Sequence, residues 1–114
     1  MLTNFDLNSE NKNGVIVVKV KGELDALMAP KLKDLLIKEG EEGKNKFVID
    51  FNELIHINSL AMGILRGRLR EVREQGGDIK LANLNPHIAT IFEMVGLDEI
   101  FEIYSSEEEA LQKF

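Results

Sequence analysis

The sequence predicts a single α/β domain over residues 1–114, built on a mixed, mostly parallel five-stranded sheet with four helices. Three observations predict it. β-branched and aromatic runs such as VIVVKV at Val15–Val20 and FVIDF at Phe47–Phe51 read as buried strands. Segments of helical period separate such strands, which implies parallel pairing through crossover connections. The length suits one domain and leaves no room for a second.

In chain order, Thr3 to Leu7 reads as a first strand, with Phe5 and Leu7 alternating, and Asn8 to Gly14 as a long polar hairpin loop. Val15–Val20 is the antiparallel partner, closed by Gly22. Pro30 to Lys38 forms the first helix: proline suits the first turn, Leu32, Leu35 and Leu36 share a face, and Gly40 and Gly43 end it. Phe47–Phe51 is the third strand. Ser59 to Gln75 is the second helix, with Met62, Leu65, Leu69 and Val72 as its apolar stripe, stopped by Gly76-Gly77. Asp78–Ala82 is the fourth strand. Asn85-Pro86 caps and opens a third helix that ends at Gly96. Ile100–Tyr104 is a fifth strand, and Ser105 with Glu108 makes a capping box for the last helix. The order is β-β-α-β-α-β-α-β-α.

Composition narrows function before any motif does. A formal net charge of −6 disfavours general nucleic-acid binding, because phosphate contacts need a basic surface. With no cysteine, disulfides and thiolate metal sites are excluded. The opening MLTNFDLNSENKNG has no basic region followed by an apolar stretch, so it does not read as a signal peptide. The longest apolar candidate, Leu54 to Leu65, is broken by His56, Asn58 and Ser59 and falls short of the roughly 20 residues that span a bilayer. The expectation is a cytoplasmic protein without direct membrane insertion.

Function in an open α/β sheet sits where a strand's carboxyl end turns into the next helix. The junction after the third strand stands out: Asn58-Ser59 begins a helix whose first turn carries the small residues Ala61 and Gly63. Free backbone N–H groups and the positive end of the helix dipole make such a place receptive to a phosphate. Helix capping by Asn58 accounts for the same residues without any function, and from the residues alone it is the preferred reading. Leu60 is the expected exposed apolar anchor beside Ser59, whereas Met62 belongs with the core by its spacing. Arg66, Arg70 and Arg73 form a basic stripe, fit either for an acidic partner or, with Glu71 and Glu74 nearby, for a solvated helix face; the solvated face is the preferred reading. His56 and His87 lie far apart without ligand spacing, so no metal is expected. His56 reads as a partly buried residue at the strand end, or else as a phosphohistidine in a phosphocarrier. No Ser-His-Asp order, phosphate-cradling Gly-Lys-Ser/Thr motif or acid/base carboxylate pair supports an enzyme, and no cofactor is expected.

Four segments, in order and spacing, resemble the STAS domain family of bacterial anti-sigma factor antagonists. They are Gly22-Glu23-Leu24-Asp25-Ala26, Phe47–Phe51, the stretch from Gly76-Gly77 through Asn83-Leu84, and Gly96 through Tyr104 with the glutamate-rich helix after it. In that family a signature loop, typically Asp-Ser-Ser/Thr-Gly-Leu-Gly, carries a serine that is phosphorylated. The matching positions here are Asn58-Ser59-Leu60-Ala61-Met62-Gly63, which puts Ser59 on the phosphoacceptor. Asn58, Leu60 and Ala61 depart from the pattern. The resemblance implies a partner-binding surface of Asp25, Asn58, Ser59, Leu60, Ala61 and Met62, although Asp25 serves equally well as a turn or capping residue. It implies as partner an anti-sigma factor of the serine-kinase type, bound to release a sigma factor, and a phosphatase that restores the serine. The alternative is a constitutive interaction module, such as a subunit of a lipid-transport or stress-signalling complex, in which the substituted loop takes no phosphate.

Overall fold

The computed structural model describes residues 5–114. Its elements are β1 (Asp6–Lys12), β2 (Val15–Leu24), α1 (Ala29–Glu41), β3 (Lys46–Ile57), α2 (Ser59–Glu74), β4 (Asp78–Ala82), α3 (Pro86–Met94), a 3₁₀ turn (Leu97–Glu99), β5 (Ile103–Tyr104) and α4 (Glu107–Leu111). The sheet order is β1-β2-β3-β4-β5. β1 and β2 are antiparallel, and every later neighbour is parallel. The expected α/β class, strand pairing and element order are those of the structure.

Alternation along the strands divides the interior in two. Ile16, Val18 and Val20 of β2, with Phe47, Ile49 and Phe51 of β3, face the large core formed with α1, α2 and α3. Val15, Val17, Val48 and Ala82 face the other way, onto Ala110 of the short helix α4. Phe51 and Phe92 meet edge to face in the large core, with ring centroids 6.2 Å apart.

Several boundaries differ from the sequence reading. The polar residues from Asn8 onward are strand, not loop: β1 is an exposed edge whose pairing reaches Lys12↔Val15. Asn13 and Gly14 make the whole turn, at φ 55° and 90°, a conformation that Asn-Gly supplies cheaply. Thr3 and Asn4 of the expected first strand lie outside the described residues. Helix α1 runs through Gly40 to Glu41, and β2 runs past Gly22 to Leu24. At the other end Ser106, not Ser105, caps α4, accepting from Glu109 N at 3.1 Å, while Ser105 Oγ donates to the Glu109 carboxylate. The 3₁₀ turn after α3 leaves β5 only Ile103–Tyr104.

The last difference shapes the functional end of the molecule. β3 continues to Ile57, well beyond the last β3–β4 pair, Asp50↔Ala82. Its tail pairs only with β2, and two register shifts give β3 extra residues against Lys19–Lys21 and Gly22–Glu23. Ile55 falls in the second shift, without a β2 partner, and is 65% exposed. The tail is anchored by Leu54 and Ile57, which are buried, and by Asn85 Nδ2, which donates to the Leu54 carbonyl at 2.9 Å. Among the described residues no helix is long and apolar enough to cross a membrane.

Candidate functional site

Two chain reversals meet at the carboxyl end of the sheet. Asn58 N donates to Leu24 O at 3.2 Å, so the turn after β2 lies against the start of α2. In that turn Asp25 Oδ1 accepts from Leu27 N at 3.0 Å and Met28 N at 2.9 Å. Asp25 is therefore the turn-forming residue that one of its two sequence readings expected, and it holds up Leu27, 74% exposed.

Asn58 caps α2 from an extended backbone, its Oδ1 accepting from Ala61 N at 2.9 Å. Helical hydrogen bonding begins with Met62 N to Asn58 O. The amides of Ser59 and Leu60, at the first two helical positions, are left without an intrahelical acceptor and point out of the helix end. Ser59 is exposed, and its hydroxyl makes no hydrogen bond among the described residues. Leu60 is 49% exposed, as expected of an anchor. Met62 is half-buried against the core. Ala61 is 1% exposed, so its methyl lies beneath the surface and offers a partner no side chain.

Several neighbours of Ser59 come from elements that sequence spacing does not connect. A groove of about 440 Å³ between α1 and α2 has Ser59, Leu60 and Gly63 on one side and Lys33 and Arg68 among its other walls. The groove thus carries two cations, Lys33 and Arg68, with one carboxylate, Glu71, and opens at Ser59 toward the positive end of the α2 dipole. Together with Leu27 and Ile55, Leu60 adds apolar surface to the same end of the molecule.

His56 is exposed rather than partly buried, because it follows the unpaired Ile55 and alternates with the core residue Ile57. Its ring stacks on that of His87, centroids 6.1 Å apart and planes 25° from parallel. No group of three or more His, Cys, Asp or Glu side chains among the described residues is arranged to hold a metal. The arginine stripe is partly paired: Arg70 Nε lies 3.3 Å from Glu74 and Arg73 Nε 3.0 Å from Asp78.

Comparison with known proteins bears on the whole chain. The STAS domain model matches residues 6–110. The anti-sigma-B factor antagonist of Bacillus subtilis is 28% identical over 109 residues, spanning 96% of this chain and 99% of its own. The crystal structure of an anti-sigma factor antagonist from Mycobacterium paratuberculosis has a TM-score of 0.87 at 24% identity, covering 96% of this chain and 93% of that one. The Bacillus cell fate determinant SpoIIAA in its phosphorylated form has a TM-score of 0.74 at 24% identity, covering 96% and 97%. At these identities the two structures speak for the fold. Domain model, relative and fold agree, and the chain belongs to the STAS domain family.

Proposed function

We propose that the chain is an anti-sigma factor antagonist: it binds an anti-sigma factor of the serine-kinase type, frees a sigma factor, and is switched off by phosphorylation of Ser59. The observation that carries this reading is an exposed, unbonded hydroxyl at the start of α2, beside free amides and a groove containing Lys33 and Arg68. The name of the B. subtilis relative supports the partner class. Anti-sigma factor antagonists are regulators and not enzymes. Ser59 is accordingly a substrate position.

In the phosphoryl transfer the Ser59 oxygen attacks the γ-phosphorus of ATP held by the kinase. The bond to the β-phosphate oxygen breaks, ADP leaves, and the hydroxyl proton passes to a base of the kinase. The product carries about −1.5 to −2 charges at the end of a helix that tolerates them. The fold survives while the partner meets a desolvation and repulsion cost where Leu60 and Leu27 would have docked. A phosphatase restores the hydroxyl.

Incubating the protein with the candidate kinase and ATP, then mapping phosphate by mass spectrometry, tests the switch. Phosphate is expected on Ser59 and nowhere in Ser59→Ala, and Ser59→Asp should bind the kinase at least about tenfold more weakly. Phosphate elsewhere, or none despite tight binding, removes the switch. A second reading is favoured by Asn58, Leu60 and Ala61 standing where the family's phosphorylated loop has other residues: a constitutive interaction module. Full activity of Ser59→Ala in the cell, with Ser59→Asp equally active, would establish that reading instead.

A further inference from the structure

A second groove is larger than the one beside Ser59. It has about 700 Å³ and runs along the other flank of α2, floored by Leu69 and Ile100 and bordered by Arg66, Arg70, Arg73 and Glu74. Its depth comes from what α2 lacks. Gly63 and Gly67, one helical turn apart, both line it. Neither has the positive φ that would require glycine. A Cβ built on either meets nothing within 4 Å, so no packing inside the domain requires glycine either. Glycine in a helix interior nevertheless costs about 0.5–1 kcal/mol relative to alanine. Two such costs on one turn, with no return inside the fold, are explained by something outside it that approaches the α2 backbone closely.

The charge of the rim states what that something is. The protein carries −6 overall, yet this groove is edged by three guanidinium groups against one carboxylate, Glu74, with Arg73 held by Asp78. Arg66 has no ion pair among the described residues. Arg70 is engaged only by Glu74, in an exposed i,i+4 pair whose side chains are 83% and 60% accessible, and such a pair is weak enough to exchange for a partner's carboxylate. We infer that the groove between α2 and the 3₁₀ turn docks an acidic amphipathic helix of a partner protein, its apolar face on Leu69 and Ile100 and its carboxylates on Arg66 and Arg70. From Gly63 to Arg73 the groove follows roughly 15 Å of α2, about three turns of a docked helix. Gly63 and Gly67 also line the groove beside Ser59, but Arg70 stands roughly 16 Å along the axis from Ser59, so the arginine end of this surface lies away from the modified residue.

The test uses the full chain, isotopically labelled, titrated with a four-turn peptide bearing leucine on one face and glutamate beside it. A second peptide, identical but with lysine for every glutamate, is the control. Amide shifts are expected from Gly63 to Glu74 and at Ile100 with the glutamate peptide only, weakening as salt rises. Arg66→Glu with Arg70→Glu should lower affinity at least about tenfold, and Gly67→Leu, which places a bulky side chain in the groove from a position whose Cβ is unobstructed, should do the same. Gly67→Ala should raise the melting temperature, showing that the glycine is not there for the fold. Equal shifts with both peptides, shifts centred elsewhere, or binding untouched by these variants overturns the inference. So does a dimer abolished by the arginine variants, which would assign the groove to a second copy, or a DNA duplex shifting the same amides.

Discussion

Asn58 and Asp25 perform the same task on neighbouring turns: each lends a side-chain oxygen to backbone amides that the chain reversal leaves unsatisfied. Removing the Asn58 amide should expose this. Asn58→Ala is expected to cost about 1 kcal/mol, the usual loss for an N-cap. Asn58→Asp keeps the acceptor and adds a negative charge at the helix start, which contributes about 0.3–1 kcal/mol; it should be as stable as the parent or more so. Urea midpoints of the three proteins decide it. If Asn58→Asp fell as far as Asn58→Ala, the cap would not be what holds this turn. The start of α2 was legible in the sequence because its signals are local: an amide, a serine and small residues on consecutive positions. Asp25 was legible as a turn former on the same grounds. Leu27, Ile55 and Lys33 were not, since the turn after β2, the tail of β3 and helix α1 bring them to the same end of the molecule only in three dimensions.

Among the elements, helices with local caps were read nearly to the residue, as Asn85-Pro86 shows for α3. Strands whose length depends on a neighbour were not. Beyond Leu7, the residues NSENK have no apolar face to declare the rest of β1, because the edge strand borrows its stability from β2. NELIHI breaks alternation at its bulges, so the tail of β3 looks like a loop in one dimension. The end of β4 shows how such junctions are held. Asp50, 8% exposed, accepts from Asn52 N at 2.9 Å and from Asn83 Nδ2 at 3.0 Å. Asn83 itself adopts φ 61°, a left-handed conformation that asparagine tolerates better than most side chains. Asn83→Ala loses the amide and strains the backbone, and should cost about 2 kcal/mol. Asn83→Gly relieves the strain but not the lost bond, and should cost about half as much. Equal losses for the two, measured by chemical denaturation, would mean that the φ angle carries no energy at this turn.

On the scale of the whole molecule the two faces of the sheet are held differently. The side covered by α1, α2 and α3 is apolar throughout its core, whereas the side covered by α4 contains a buried cation. Lys80, 5% exposed, bonds Asp78 at 3.1 Å and Glu102 at 2.8 Å, and its ammonium lies 4.6 Å from the centre of the Phe114 ring. Burial works against the charge, but the bonds to Glu102 and Asp78 outweigh it and hold the Lys80 ammonium above its ordinary range. The same bond from Lys80, with one from Tyr104 OH at 2.6 Å, holds the Glu102 carboxyl below the ordinary range. A depressed carboxyl contributes stability above its unfolded pKa of about 4.3 that is lost as pH falls through the folded value. A raised amine contributes below about 10.4, and that stability is lost as pH rises through its folded value. Lys80→Met keeps the buried stem, and neither carboxylate is orphaned, since Arg73 still meets Asp78 and Tyr104 still meets Glu102. The stability of the parent minus that of Lys80→Met should therefore be greatest between these limits and shrink at both, falling on the acid side below about pH 4 and on the alkaline side above about pH 10. Because Glu102 is 52% accessible, the acid change should stay within about 1 kcal/mol. Urea denaturation of both proteins across pH reads the difference directly; a difference constant through the acid range would show that Lys80 does not set the Glu102 carboxyl.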